Sequence, residues 1–163
     1  MKGRNPLRPA RTITALVSLA AALLLAPAVP ATAAESGTDL QQRIERVIDD
    51  FPGGVQTAAN EISWADGDVV LTLADPESRA AARSVGSCAT GAHCVYSSTN
   101  MQGSRLTFTT CTTSSVAPLG SPVRSIANAR GSVVRAYNAI GVVGSVSANS
   151  STNVGWSMTK IGC

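Results

Sequence analysis

The sequence predicts a mainly β protein: a two-sheet sandwich preceded by a small helix-plus-hairpin segment. Two observations carry the sandwich. From residue 87 onward, short runs of β-favouring residues alternate with Gly, Ser, Thr and Asn, and the turns recur about every 8–12 residues, the spacing of a two-sheet fold. All four cysteines, Cys88, Cys94, Cys111 and Cys163, fall in this same stretch. A third observation separates the front: residues 38–51 have helical periodicity, and a turn-separated β pair comes next.

The chain opens with Lys2, Arg4, Arg8 and Arg11, then an apolar run from Ile13 to Leu25 that Pro27 and Pro30 break before Ala31-Thr32-Ala33. This order, basic then apolar then small, is that of a secretory signal peptide over residues 1–33, cut after Ala33 with Ala34 the alternative. The apolar run is shorter than the about 20 residues of a membrane span. No Arg-Arg pair is present, which favours the general secretion route over the twin-arginine one. The expected product is secreted and extracellular, with no membrane attachment after signal cleavage. The net charge of +3 belongs to the whole chain. Of its thirteen basic residues four leave with the signal, and the remaining nine face ten acidic ones, a mature net charge of −1. Every acidic residue lies between Glu35 and Glu77, and none comes later. An acidic front piece is joined to a basic, Ser/Thr/Gly-rich back piece.

In the front piece, residues 34–74, Thr38-Asp39-Leu40-Gln41 reads as a capping box that starts a helix at Thr38. Leu40, Ile44, Val47, Ile48 and Phe51 form one apolar face, and Pro52-Gly53-Gly54 stops it. Val55 to Trp64 reads as one strand, paired through Asp66-Gly67 with Val69 to Leu73. Glu61, Asp66 and Asp68 read as a solvated turn and strand face rather than a catalytic cluster. Some forty residues are too few to hold a core alone, so the segment either docks on the back piece or is a pro-segment released in the linker 75–86, where Arg79 and Arg83 offer trypsin-like cuts.

The back piece, residues 87–163, offers strands at 94–97, 105–109, 125–128, 132–137 and 144–147, and a last one from Val154 to Lys160 around Trp156. An even cysteine count in an exported chain argues for two disulfides, with three connectivities open. Cys88–Cys94 with Cys111–Cys163 is favoured: one closes a small loop around Gly91, the other ties the last residue to a strand end. Zinc is disfavoured, because no C-x2-C spacing occurs and His93 is the only histidine. His93, inside the small cysteine loop, reads as a surface histidine.

A weak repeat runs through this piece. Val95-Tyr96-x4-Met101-x-Gly103-Ser104 aligns with Ala136-Tyr137-x4-Val142-x-Gly144-Ser145, an offset of 41 residues. Tyr96 and Tyr137 would cover a folded turn, and Gly103 and Gly144 would supply a backbone conformation closed to other residues. The Y-x4-(aromatic)-x-G pattern resembles the βγ-crystallin Greek key. With Cys-x5-Cys ahead of the first motif, a late cysteine, the Ser125-Ile126-Ala127-Asn128 stretch and the upstream Asn60-Glu61-Ile62-Ser63-Trp64, residues 86–163 resemble peptidase inhibitor family thirty-six, the secreted crystallin-like metalloproteinase inhibitors of actinomycetes. Met101 and Val142 depart from the aromatic position. The loops 97–100 and 149–153 carry no carboxylate, so no tightly held calcium and no cofactor are expected.

The inventory disfavours an enzyme: the back piece has one histidine, no acid, and cysteines consumed in disulfides. The resemblance implies an inhibitor that presents a rigid, substrate-like loop to an extracellular peptidase, metallo-type favoured, with no nucleic acid partner, as a monomer. The candidate loop is Thr112–Pro122, with Val116 and Leu119 exposed as pocket fillers and Pro118 as stiffener. The alternative is a non-catalytic basic β module that binds cell-wall or other anionic polymers.

Overall fold

A computed structural model describes residues 32–74 and 88–163. The helix α1 spans Thr32–Asp50. It begins ahead of Thr38, so Thr38 lies inside it and is not its N-cap. The reason is local propensity: alanine is the strongest helix former, and Ala33-Ala34 carry the helix upstream of the capping box. The expected apolar face is the packed one. Ile44 is fully buried, and Leu40, Val47 and Ile48 rest against the core. The Phe51 N–H donates to the Val47 carbonyl at 2.9 Å, and Gly53, at φ +87°, turns the chain out of the helix. Trp64 locks this corner from the side. Its Nε1–H donates to the Phe51 carbonyl at 3.0 Å, and its ring lies 2.8 Å from where a Cβ on Gly54 would stand.

Val55 to Trp64 is two strands rather than the one expected, β1 (Val55–Ala58) and β2 (Glu61–Trp64), antiparallel with Val55 opposite Ser63. Asn60 makes the break. Its side-chain amide donates to the Leu73 carbonyl at 3.1 Å, and its own carbonyl accepts the Leu73 N–H at 2.8 Å. Asp66-Gly67 does turn the chain, inside a 3-10 turn at Ala65–Gly67 that leads into β3 (Val69–Thr72). The front piece is therefore a helix and a three-stranded meander.

The back piece supplies β4 (His93–Tyr96), β5 (Arg105–Phe108), β6 (Ser114–Ser115), a 3-10 turn at Ala117–Leu119, β7 (Ser125–Asn128), β8 (Val134–Asn138), β9 (Gly141–Val146), β10 (Ser150–Asn153) and β11 (Lys160–Gly162). The expected last strand around Trp156 does not form. Trp156 lies between β10 and β11, its ring packed where Gly144 lacks a side chain.

Two antiparallel sheets result, β1-β2-β3-β5-β4-β7-β10 and β6-β11-β8-β9. Without the front meander the first sheet is β5-β4-β7-β10 and the second, reversed, is β9-β8-β11-β6. These orders correspond term by term. Each four-strand run, β4–β7 or β8–β11, keeps its first, second and fourth strands in one sheet and gives its third to the other. The front piece extends the first sheet: β3 pairs with β5, Leu71 opposite Leu106. The core holds Val95, Leu106, Phe108 and Ile126 from the first sheet with Val134, Ala136, Val146 and Ile161 from the second; Ile44, Ile62 and Leu71 of the front piece belong to the same cluster.

Candidate functional site

Two disulfides clamp the back piece. Cys88 is bonded to Cys94, and Cys111 to Cys163 across a sequence separation of 52. Among the described residues no cysteine is free. The second bond holds the chain end beside the start of the segment 112–122.

That segment does not present its aliphatic side chains. Val116 is 6% exposed and Leu119 4%, so the expected pocket fillers belong to the core. The cause is pairing at both ends. Ser114–Ser115 pairs with β11 as β6, the Val116 N–H donates to the Thr159 carbonyl at 3.0 Å, and the 3-10 turn that carries Pro118 closes on Gly120 at φ +68°. The turn rolls both apolar residues inward. What the segment shows to solvent is Thr112, Thr113, Ser115, Ala117 and the stretch Gly120-Ser121-Pro122, with Pro118 half-buried.

His93 is fully buried, not a surface residue. It stacks on Phe108 with ring centroids 5.0 Å apart. Its Nδ1 accepts the Arg130 Nε–H at 3.1 Å, and Arg130 also donates to the Phe108 carbonyl at 3.4 Å. An accepting Nδ1 puts the proton on Nε2, which has no hydrogen-bond partner. Burial, and then the Arg130 charge, lower the imidazole from 6.5 to about 4. A neutral ring with no carboxylate beside it is a packing element, not a general base. Among the described residues no group of three or more His, Cys, Asp and Glu comes together as a metal site would require.

The repeat residues fall on corresponding strands, Tyr96 at the end of β4 and Tyr137 near the end of β8, but the turns after them differ. After Tyr96 the chain makes a long folded loop before Arg105, which pairs back with Tyr96. Asn100, Met101 and Gly103 there all take positive φ. The loop is tied across the sheet: the Asn100 N–H donates to Asn153 Oδ1 at 2.7 Å, and the Met101 N–H to Ser125 Oγ at 2.9 Å. A side chain on Gly103 would collide with Ser97 and Ser98. Tyr96 is fully buried, and burial raises its hydroxyl pKa against the opposing Arg105 charge and hydrogen bond. After Tyr137 there is instead a tight hairpin in which Asn138 pairs with Gly141, leaving only Ala139 and Ile140 at the tip. Gly144 is not at positive φ; it is glycine because the Trp156 ring occupies its Cβ position.

This second hairpin carries the most exposed large apolar side chains of the back piece, Ile140 at 91% and Val142 at 58%. Sequence reading passed over it because the repeat alignment drew residues 137–144 into a folded loop. The signal was present: Asn and Gly three apart, between two β runs, favour a short turn.

The described residues thus form a double sheet cross-linked by two disulfides. Residues 81–149 match the sequence profile of peptidase inhibitor family I36. The match is to a family of peptidase inhibitors and covers less than half of the chain. No curated protein and no solved structure matches the chain.

Proposed function

We propose that the protein is a secreted inhibitor of extracellular metallo-endopeptidases of the thermolysin type, acting as a monomer that holds a rigid surface element in the enzyme cleft. The inhibitor family match carries the reading. The corresponding strand orders of the two sheets, with third strands exchanged, support a crystallin-like pair of Greek-key units as the frame. Two disulfides and a fully packed core restrict the free protein, which lowers the entropy cost of binding. Enzymes of that type prefer a bulky aliphatic side chain after the scissile bond, and exposed aliphatics are what this surface offers. The secreted form begins at Ala34.

A panel assay tests this. The purified secreted chain is titrated against a thermolysin-like metalloproteinase, a subtilisin-like and a trypsin-like serine proteinase. Tight inhibition of the first alone supports the proposal, and inhibition confined to serine proteinases moves the target class. A second reading, binding to anionic wall polymers, is favoured by the exposed Arg124, Arg135 and Lys160 on a piece without a carboxylate. Salt-sensitive retention on cell wall with no inhibition of any proteinase would select it.

A further inference from the structure

The burial of Val116 and Leu119 leaves the proposed inhibitor without the anchors that its sequence suggested. The fold supplies another. We infer that the tip of the β8–β9 hairpin is the element that enters the peptidase cleft, with Ile140 as the side chain that fills its apolar specificity pocket; the inference rests on the proposed inhibitory function.

Four observations converge on the tip. Ile140 is 91% exposed, an unusual state for a large aliphatic residue: among the other described isoleucines Ile44, Ile62, Ile126 and Ile161 are fully buried and Ile48 is half-buried. The tip is also held rigid. Asn138 Oδ1 accepts the Ile140 N–H at 2.9 Å, Gly141 takes φ +127°, and neither Ala139 nor Ile140 needs a positive φ. The base of the hairpin is braced from β11 and the residue before it: the Thr159 N–H donates to the Tyr137 carbonyl at 2.8 Å, and Lys160 pairs with Tyr137. Finally, the tip lies inside the span that matches the inhibitor family.

The geometry suits obstruction better than turnover. A peptidase needs an extended backbone across its catalytic centre. A two-residue turn closed by the Asn138–Gly141 pair keeps its ends together and cannot extend without breaking the ladder between β8 and β9. The side chain enters the pocket while the backbone stays out of reach. Val142, 58% exposed on the same hairpin, adds apolar surface at the pocket rim. Lys160 and Arg135, both exposed on the same sheet, give the hairpin a basic flank suited to a cleft lined with carboxylates.

The inhibition constant of the full secreted chain is measured against whichever panel enzyme it blocks, for wild type, Ile140→Ala, Ile140→Asp and, as a control at an exposed valine of β1, Val55→Ala. Removing most of an aliphatic side chain from a specificity pocket weakens binding by roughly 10- to 200-fold. The expected result is a loss in that range for Ile140→Ala, a larger one for Ile140→Asp, and none for Val55→Ala, with melting temperatures unchanged because the tip packs against nothing. Equal inhibition by wild type and both Ile140 variants overturns the assignment while leaving the inhibitory function standing. A wild-type chain that blocks no enzyme of the panel overturns both.

Discussion

At the scale of single residues, His93 shows how a group with catalytic potential is disarmed. The ring sits between the Phe108 face and the Arg130 guanidinium, so that protonation would bury one positive charge beside another. Unfolded, the imidazole takes a proton near 6.5; folded, it resists until about pH 4. Between those values the unfolded chain binds more protons, so stability falls as pH drops through that window and is independent of this group above it. The loss attributable to His93 is of order 1–3 kcal/mol by pH 4. Denaturant midpoints measured from pH 7 to pH 4 for wild type and His93→Gln should converge as pH falls, the variant showing the shallower slope. Parallel curves would place the pH dependence elsewhere. Arg130 has the same structural character: its donors go to His93, the Phe108 carbonyl and Cys111 Sγ, which removes one of the five basic residues of the back piece from the count available to an anionic partner.

At the scale of elements, the segment 112–122 and the β8–β9 hairpin exchange the roles that the sequence suggested. Leu119 is core, so Leu119→Ala should cost about 2–5 kcal/mol of stability while leaving the inhibition constant unchanged below the melting transition; a selective loss of inhibition with stability intact would return the segment to the binding site. The Cys111–Cys163 bond anchors this segment and β11 together. Its closed loop is long, and replacing both cysteines by serine should cost about 4 kcal/mol in the chain-entropy account, read as a lowered denaturant midpoint. Strand position was legible at 105–108, where burial alternates along β5, because a half-buried strand writes its register into the chain; β4 and β7, buried at nearly every position, were legible from β-favouring residues between turn signals. They were not legible in 154–160, where Val154, Trp156 and Met158 alternate like a strand. These side chains pack against the core as an irregular strap, Trp156 over Gly144, and burial alone produces the pattern without a partner strand. The exposure of Val116 and Leu119 was illegible for the matching reason. Pro and Gly mark a turn but not which way the turn rolls, and that is decided by the pairing of β6 with β11, contributed by residues some forty-five positions further on.

At the scale of the whole molecule, the acidic front piece becomes part of the sandwich. Its composition divides it sharply from the basic back piece, yet β3 completes the edge of β5 over four residue pairs, from Val69 opposite Phe108 to Thr72 opposite Arg105. Ile44, Ile62, Leu71 and Leu73 enter the same core as the back-piece strands. Polar ties cross the same join: Ser104 Oγ accepts the Ala74 N–H at 3.0 Å, and the Thr109 N–H donates to the Asp68 carbonyl at 3.0 Å. Arg79 and Arg83, the cut sites that the linker offers, lie outside the described residues. Removing the front piece would strip an edge strand from β5 and uncover apolar surface, which sheet proteins do not tolerate without association. Brief trypsin treatment at the linker should therefore yield two fragments that co-elute at the intact mass in native gel filtration and separate only in denaturant, with inhibition retained by the nicked complex. Elution of residues 87–163 as a free, folded, inhibitory monomer would show that the front piece is a detachable pro-segment and that the back-piece sheets close without it.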